Sequence, residues 1–97
     1  MHVGVCRIVL RLPENHSLKE KRQTLRSLMA RLRNQFNVAV AEVDDQDVWQ
    51  MATIGVSCVS NSSRHAQQML SRVINYLQGL RGDWELVEFG VEVVSGI

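Results

Sequence analysis

The sequence has few of the residues on which redox, metal and phosphate-loop sites depend. It contains two cysteines, three histidines and six scattered glycines. Two cysteines without a framework spacing exclude a disulfide-stapled scaffold and are typical of a reducing compartment. The histidines lie in three separate places without metal-ligand spacing, and neither a glycine-rich phosphate loop nor a nucleophile–base pair is present. We therefore predict no catalytic residues, no metal, no cofactor and no enzymatic activity.

Long hydrophobic runs are also missing. No segment approaches the roughly 20 apolar residues that a membrane-spanning helix needs, and the opening residues lack the basic and apolar regions of a signal peptide. The aromatic residues comprise two Trp, one Tyr and two Phe, which is sparse for a protein that binds single strands by base stacking. We therefore expect a cytoplasmic protein that has no membrane partner and no small-molecule substrate.

Acidic residues are scarce in the first third of the chain. Residues 1–36 carry eight Lys/Arg and two acids, a net charge of +6, whereas residues 37–97 carry three Arg and eight acids, a net charge of −5. The formal total of +1 hides this asymmetry. Such a split either serves an external partner or pairs the two parts of the chain with each other in the fold.

Hydrophobic periodicity predicts four strands and two helices. Period-two alternation indicates strands over residues 2–12, 37–43, 48–59 and 84–94, and apolar stripes at helical spacing indicate helices over residues 18–34 and 63–79. Ser17 and Glu20 form an S-x-x-E capping box that defines the start of the first helix.

The order β-α-β-β-α-β predicts the class of fold. Since each helix has a single apolar stripe, both can lie on one face of a single sheet. Right-handed crossovers then produce an α+β, ferredoxin-like split βαβ sandwich with a four-stranded antiparallel sheet. The first and third strands should be central, and residues 1–97 should form one domain.

The first helix carries the clearest functional signal, because it holds six basic residues against the single acid Glu20. The six are Lys19, Lys21, Arg22, Arg26, Arg31 and Arg33. All except Lys21 and Arg31 fall within about 60° of one another beside the apolar stripe. Guanidinium groups bind phosphate oxygens bidentately, so the pattern favours a polyanion or an acidic surface as partner. The alternative is a solvated helix face whose long side chains shield the edge of the core.

The sheet face that neither helix covers is the second candidate surface. We place on it Val3, Val5, Arg7, Val9 and Arg11 of the first strand, Trp49, Met51, Thr53 and Gly55 of the third, and Glu88 and Glu92 of the fourth. This face is too apolar as a whole to suit water, although its arginines could pair with its glutamates. The aromatic residues that stack bases in RNA-recognition modules are missing apart from Trp49. We therefore favour self-association here, through Val3, Val5, Arg7, Val9, Trp49 and Met51.

Two smaller features have simpler interpretations. The acidic segment at residues 44–47 lacks the glycine and the distal glutamate of a calcium loop, so we interpret it as a hairpin turn with an Asx-type hydrogen bond. Cys6 and Cys58 fall on the predicted core faces of adjacent strands. We expect both to be buried free thiols.

Several segments together resemble the YlxP-like family of small bacterial proteins of unknown function. They are His-Val-Gly-Val at residues 2–5, Ser-Leu-Lys-Glu-Lys-Arg at 17–22, Phe-Asn-Val at 36–38, Ala-Glu-Val at 41–43, Asp-Val-Trp-Gln at 47–50, and Gly55. The resemblance covers essentially the whole chain and implies a ferredoxin-like fold. Members of the YlxP-like family often lie among genes for translation and ribosome maturation. The resemblance therefore implies an RNA or ribosome role, with a contact role for Lys19, Lys21 and Arg22. The family has no established catalytic residues.

Two functional hypotheses follow. The first is a non-enzymatic binding protein that contacts ribosomal RNA or a ribosomal subunit. Its phosphate contacts would be Lys19, Lys21, Arg22, Arg26 and Arg33. The second is a homodimeric protein-interaction module that uses the open sheet face and binds no nucleic acid.

Overall fold

The computed structural model describes residues 1–80 and 82–97, which form four strands and two helices. They are β1 (His2–Arg11), α1 (Leu18–Gln35), β2 (Ala39–Asp44), β3 (Met51–Ser60), α2 (Ser63–Gly79) and β4 (Glu85–Val94). The predicted order and type of every element are confirmed. The predicted bounds differ from the observed ones by a few residues at most.

The four strands form one sheet in the order β2-β3-β1-β4, and all neighbouring strands are antiparallel. The prediction that β1 and β3 are central is therefore confirmed, and the fold is a ferredoxin-like α+β sandwich. In this register Arg7 of β1 lies opposite Gly55 of β3 and Gly90 of β4. The edges of the sheet are β2 and β4.

The core lies between the sheet and the two helices. Ile8 of β1, Leu28 of α1 and Leu70 of α2 are completely buried in it. Close packing of α2 on β1 depends on Gly4, because a Cβ atom at this position would lie 2.9 Å from Leu70 Cδ1 and 3.0 Å from Cys58 Sγ. Cys58 is free and buried, as predicted, and so is Cys6.

The capping box at the start of α1 is present. Ser17 Oγ accepts a hydrogen bond from Glu20 N–H at 3.1 Å, which satisfies one of the donors that the first helical turn leaves without a partner. Glu20 Oε2 accepts from His16 N–H at 2.9 Å, one residue before the cap. The two bonds together set the direction in which the chain enters α1.

The placement of Trp49 on the third strand is wrong. β3 begins at Met51, and residues 45–50 form a loop, the β2–β3 loop. Val48 and Trp49 have strand-forming side chains, but tertiary hydrogen bonds override this local propensity. Leu12 N–H donates to Gln50 O at 2.8 Å, and Asn15 Nδ2 donates to Trp49 O at 3.4 Å, so the loop is held against the residues that follow β1.

Neither α1 nor α2 combines the length and the apolar composition that crossing a membrane would require.

Candidate functional site

Three exposed basic residues, Lys19, Arg22 and Arg26, line one side of α1 and are called the basic flank. Arg33, two turns beyond Arg26, shows which way this side faces. Its Nη2 donates to Val40 O of β2 at 2.9 Å, so the basic flank runs beside the β2 edge of the sheet. At 1.5 Å per residue, the three residues are spread over about 10 Å of helix.

The basic flank forms no ion pair within the described part of the chain. The ion pairs among the described residues involve Arg7, Arg11 and Lys21, and none involves the basic flank. The one acid of α1, Glu20, lies about 100° around the helix from Lys19 and is hydrogen-bonded to the backbone of His16. The basic flank therefore presents three positive charges to solvent.

Arg33 and Arg31 play different parts. Arg33 is exposed, but its bond to Val40 O gives it a structural role at the β2 edge. Arg31 lies on the other side of α1, where it lines a depression with Asp83 and Trp84. The sequence-based grouping of Arg33 with the basic flank is thus geometrically correct, although part of its hydrogen-bonding capacity is already occupied.

Lys21 does not belong to the exposed surface, and its predicted phosphate contact is wrong. The residue as a whole is 1% exposed. Its Nζ donates to Val48 O at 2.7 Å and to Asp45 O, and it forms an ion pair with Glu42 Oε2 at 3.0 Å. The helical position explains this burial, since Lys21 precedes Leu25 by four residues and so lies on the apolar stripe.

The buried ammonium group organises the β2–β3 loop. Asp45, whose carbonyl it binds, adopts a left-handed backbone conformation with φ of 62°. Its carboxylate accepts from Thr53 Oγ1 at 2.7 Å, and its N–H donates to Asp44 Oδ1 at 2.8 Å. Trp49, at the end of this loop, is 52% exposed. The loop therefore displays an exposed indole on a backbone that hydrogen bonds hold in place, beside the start of α1.

The open sheet face carries ion pairs across its strands. Arg7 lies 3.8 Å from Glu88 and 3.9 Å from Asp44, and Arg11 lies 3.7 Å from Glu85. The expected Arg7–Glu88 pair is present. Arg11 meets Glu85, which the irregularity at Val87 places opposite it, whereas Glu92 lies opposite Val5. All of these side chains are more than half exposed, so the pairs add little to stability. Asp44 and Glu85 are charged partners beyond those predicted for this face.

The residues predicted to form an oligomer interface are only partly brought together. Val3, Val5, Arg7 and Val9 follow one another along the open face of β1, and Met51 lies opposite Arg11 on β3. Val9 is 7% exposed and has little surface left to offer. Trp49 lies outside the sheet. Beside Val5, a shallow groove of about 300 Å³ lies over Gly55.

The fold and this surface define a small ferredoxin-like α+β protein whose most prominent polar feature is a basic helix flank. A protein-family model described as "Protein of unknown function (DUF503)" matches residues 3–94, and the chain belongs to this family. It is also 39% identical over 61 residues to the "Uncharacterized protein YlxP" of Bacillus subtilis (strain 168). The match covers 63% of this chain and 66% of that protein, slightly under two thirds of its length. The expected YlxP-like membership is confirmed.

Proposed function

We propose that this protein is a non-enzymatic, cytoplasmic RNA-binding protein that docks on ribosomal RNA of a ribosomal subunit. Lys19, Arg22 and Arg26 contact phosphates, and Arg33 adds to the positive electrostatic potential at the far end of α1. The observation that carries the proposal is the exposed alignment of the basic flank, outside every ion pair of the described residues. Phosphate contacts position a protein on nucleic acid without reading its sequence.

The character of the surface supports a polyanion over an acidic protein. Protein interfaces depend on buried aromatic or aliphatic anchors near their centres. The large apolar side chains that are exposed in the described part of the chain all lie outside α1, at the termini, on strands and in the β2–β3 loop. The basic flank thus combines charge with an absence of apolar anchors. Guanidinium groups at this spacing suit phosphates, which they bind bidentately.

The salt dependence of binding tests the proposal. Each phosphate contact contributes about 0.7 to the slope of log K against log salt for single strands. The Arg22→Gln/Arg26→Gln variant should therefore bind ribosomal RNA more weakly, with a slope smaller by about 1.4. The matched control is Arg64→Gln/Arg72→Gln, which removes the same charge from exposed positions of α2 and should leave the slope nearly unchanged.

Three outcomes would contradict the proposal. An unchanged slope in the α1 variant would remove the basic flank from the interface. Equal losses in the two variants would show a nonspecific effect of net charge. Absence of binding to ribosomal RNA and to purified subunits at low salt would contradict RNA binding itself.

The alternative, a homodimer through the open sheet face, is less well supported. Arg7 and Arg11 already have acidic partners on the same face, so this face can remain in water. If it is the interface, Val5→Asp should convert a dimer into a folded monomer, as measured by sedimentation and circular dichroism.

A further inference from the structure

The two edges of the sheet differ in how they meet solvent. β2 is six residues long, and the guanidinium group of Arg33 donates to one of its carbonyls, Val40 O, at 2.9 Å. β4 is ten residues long and pairs with β1 on one side only. Four of the exposed large apolar residues lie on this one strand: Val87, Phe89, Val91 and Val94. A long apolar edge strand is a template for pairing with another chain.

The side of β4 that faces the helix layer is incompletely covered. Phe89 lies opposite Ile8, and Val91 lies opposite Cys6, so both point toward the layer that contains α2. They are nevertheless 49% and 38% exposed, whereas Ile8 is completely buried. The helix layer therefore covers β1 and leaves an apolar strip along the outer part of β4.

The side of α2 above this strip is mainly polar, and Arg64 borders it beside Ser71. The Tyr76 ring packs edge-on against Phe36, at the end of α1, with ring centroids 5.5 Å apart, so that side of α2 faces α1. At about 100° per residue, Gln67, Ser71 and Gln78 lie on the opposite side, above β4, and all three are exposed. The edge thus combines an apolar strip on β4 with a mainly polar side of α2.

We propose that a second copy of this chain occupies this edge, with β4 pairing antiparallel to β4 across a two-fold axis at Val91. The register follows from the regular part of the strand. The β1–β4 ladder is regular from Glu88 to Val94, after the irregularity at Val87, and its midpoint is Val91. An axis at this residue pairs the whole regular segment with itself and joins two four-stranded sheets into one continuous sheet.

The charges of β4 select the same register. With the axis at Val91, Glu92 lies opposite Gly90 of the second copy, and Glu88 lies opposite Val94. With the axis at Gly90, Glu88 would lie directly opposite Glu92, and like charges in that position destabilise a strand pair. Within its own chain, Glu88 is also 3.8 Å from Arg7, which offsets its charge.

Self-complementarity favours a second copy over a foreign strand. Across this axis Phe89 packs beside Val93 of the other copy, and the relation is reciprocal, as a two-fold interface requires. The sides of the two α2 helices that face each other carry the uncharged residues Gln67, Ser71 and Gln78, with Arg64 at their border. This interface is independent of the proposed RNA-binding role.

Oxidative cross-linking tests the position of the axis. Residues directly opposite in an antiparallel pair have Cβ atoms about 4.5–5.5 Å apart, close enough for a disulfide after a small adjustment. Val91→Cys should form a reducible covalent dimer. Val59→Cys on the open face is the control, because Val59 is more exposed, at 66%, and random collision would cross-link it more. The natural thiols are buried, and burial raises the pKa of Cys6 to about 11, so they do not compete.

A second pair of variants separates the edge from the open face. Phe89→Lys/Val91→Lys changes exposed positions, so it should remain folded by circular dichroism and become monomeric in sedimentation. Val5→Lys/Val43→Lys on the open face is the matched control and should remain dimeric. A monomeric wild type, equal cross-linking at Val59 and Val91, or a dimer that only the open-face variant dissociates would each overturn the proposal.

Discussion

Replacement of Lys21 by methionine tests whether this buried lysine holds the β2–β3 loop. Methionine keeps the length and most of the apolar stem of the side chain but removes the ammonium group. The change takes away the hydrogen bonds to Asp45 O and Val48 O and leaves Glu42 without its ion-pair partner at 3.0 Å. We expect Lys21→Met to destabilise the protein strongly and to loosen the loop that carries Trp49.

The magnitude follows from the burial of the pair. Removing one partner of a buried ion pair costs about 3–5 kcal/mol. The Lys21 side chain is 2% exposed and that of Glu42 is 23% exposed, so water reaches part of the Glu42 side chain, although Oε2 itself is buried. The expected loss is therefore at the lower end, about 3 kcal/mol. For a domain of this size, each kcal/mol corresponds to a shift in Tm of about 4–8 °C, so Tm should fall by about 12–24 °C.

Urea denaturation followed by circular dichroism measures the free energy of unfolding. Lys19→Met is the matched control, because it removes the same charge from an exposed position two residues away. It should change stability by less than about 0.5 kcal/mol. The double variant Lys21→Met/Glu42→Gln removes both charges and should recover about 1–2 kcal/mol relative to Lys21→Met.

Two results would refute this reasoning. A loss below about 1 kcal/mol in Lys21→Met would mean that the ammonium group is not buried in the way that its contacts indicate. A double variant no more stable than Lys21→Met would show that the orphaned carboxylate is not the source of the cost. Trp49 fluorescence provides a second readout, since a loosened loop should change its emission and its accessibility to quenchers.

Three further changes probe packing, capping and burial. Gly4→Ala should cost about 1–3 kcal/mol, since its Cβ has no room, whereas Gly90→Ala, with nothing within 4 Å, should be nearly neutral by the same denaturation measurement. Ser17→Ala should cost about 1 kcal/mol by removing the N-cap of α1. Burial raises the pKa of Cys6 from 9.0 to about 11, so the unfolded chain loses this proton first. The free energy of unfolding should then fall between about pH 9 and pH 11, and Cys6→Ala should remove this part of the pH dependence.

Most of the fold could be predicted because its signals are local. The alternation in the strands, the apolar stripes of the helices and the Ser17–Glu20 cap each depend on a few neighbouring residues, and all are confirmed by the structure. The strand order then follows from the sequence of elements and from the handedness of their connections. Membership of the family follows from short segments that occur together.

The incorrect predictions involve contacts that are distant in sequence. Composition alone groups Lys21 with the exposed bases, because its acceptors lie 24 and 27 residues away, although its place on the apolar stripe is a local sign of burial. Local propensity predicts a strand at Trp49, because the bonds of this loop to the segment after β1 leave no local sequence signal. The pairing of Arg11 with Glu85 depends on the irregularity at Val87, which no residue pattern in the sequence indicates.

The positions of the basic flank and of the β4 edge lead to a joint prediction for RNA binding. In the order β2-β3-β1-β4, the basic flank runs beside one edge, and the proposed dimer interface lies at the other. Pairing through β4 therefore places the two basic flanks on the same side of a continuous sheet, at its opposite ends. Seven strand spacings of about 4.8 Å separate them by about 34 Å.

An RNA long enough to span this distance can engage both flanks, and a short one can engage only one. The affinity of the dimer for the long RNA should then be at least about tenfold higher than for the short RNA, because binding at one flank raises the effective concentration of the RNA at the other. Phe89→Lys/Val91→Lys should abolish this preference. Because its added lysines attract both RNAs alike, the ratio of the two affinities is the readout. A ratio that is the same in the wild type and the variant would show that the two copies do not bind one RNA together, even if each flank binds phosphates.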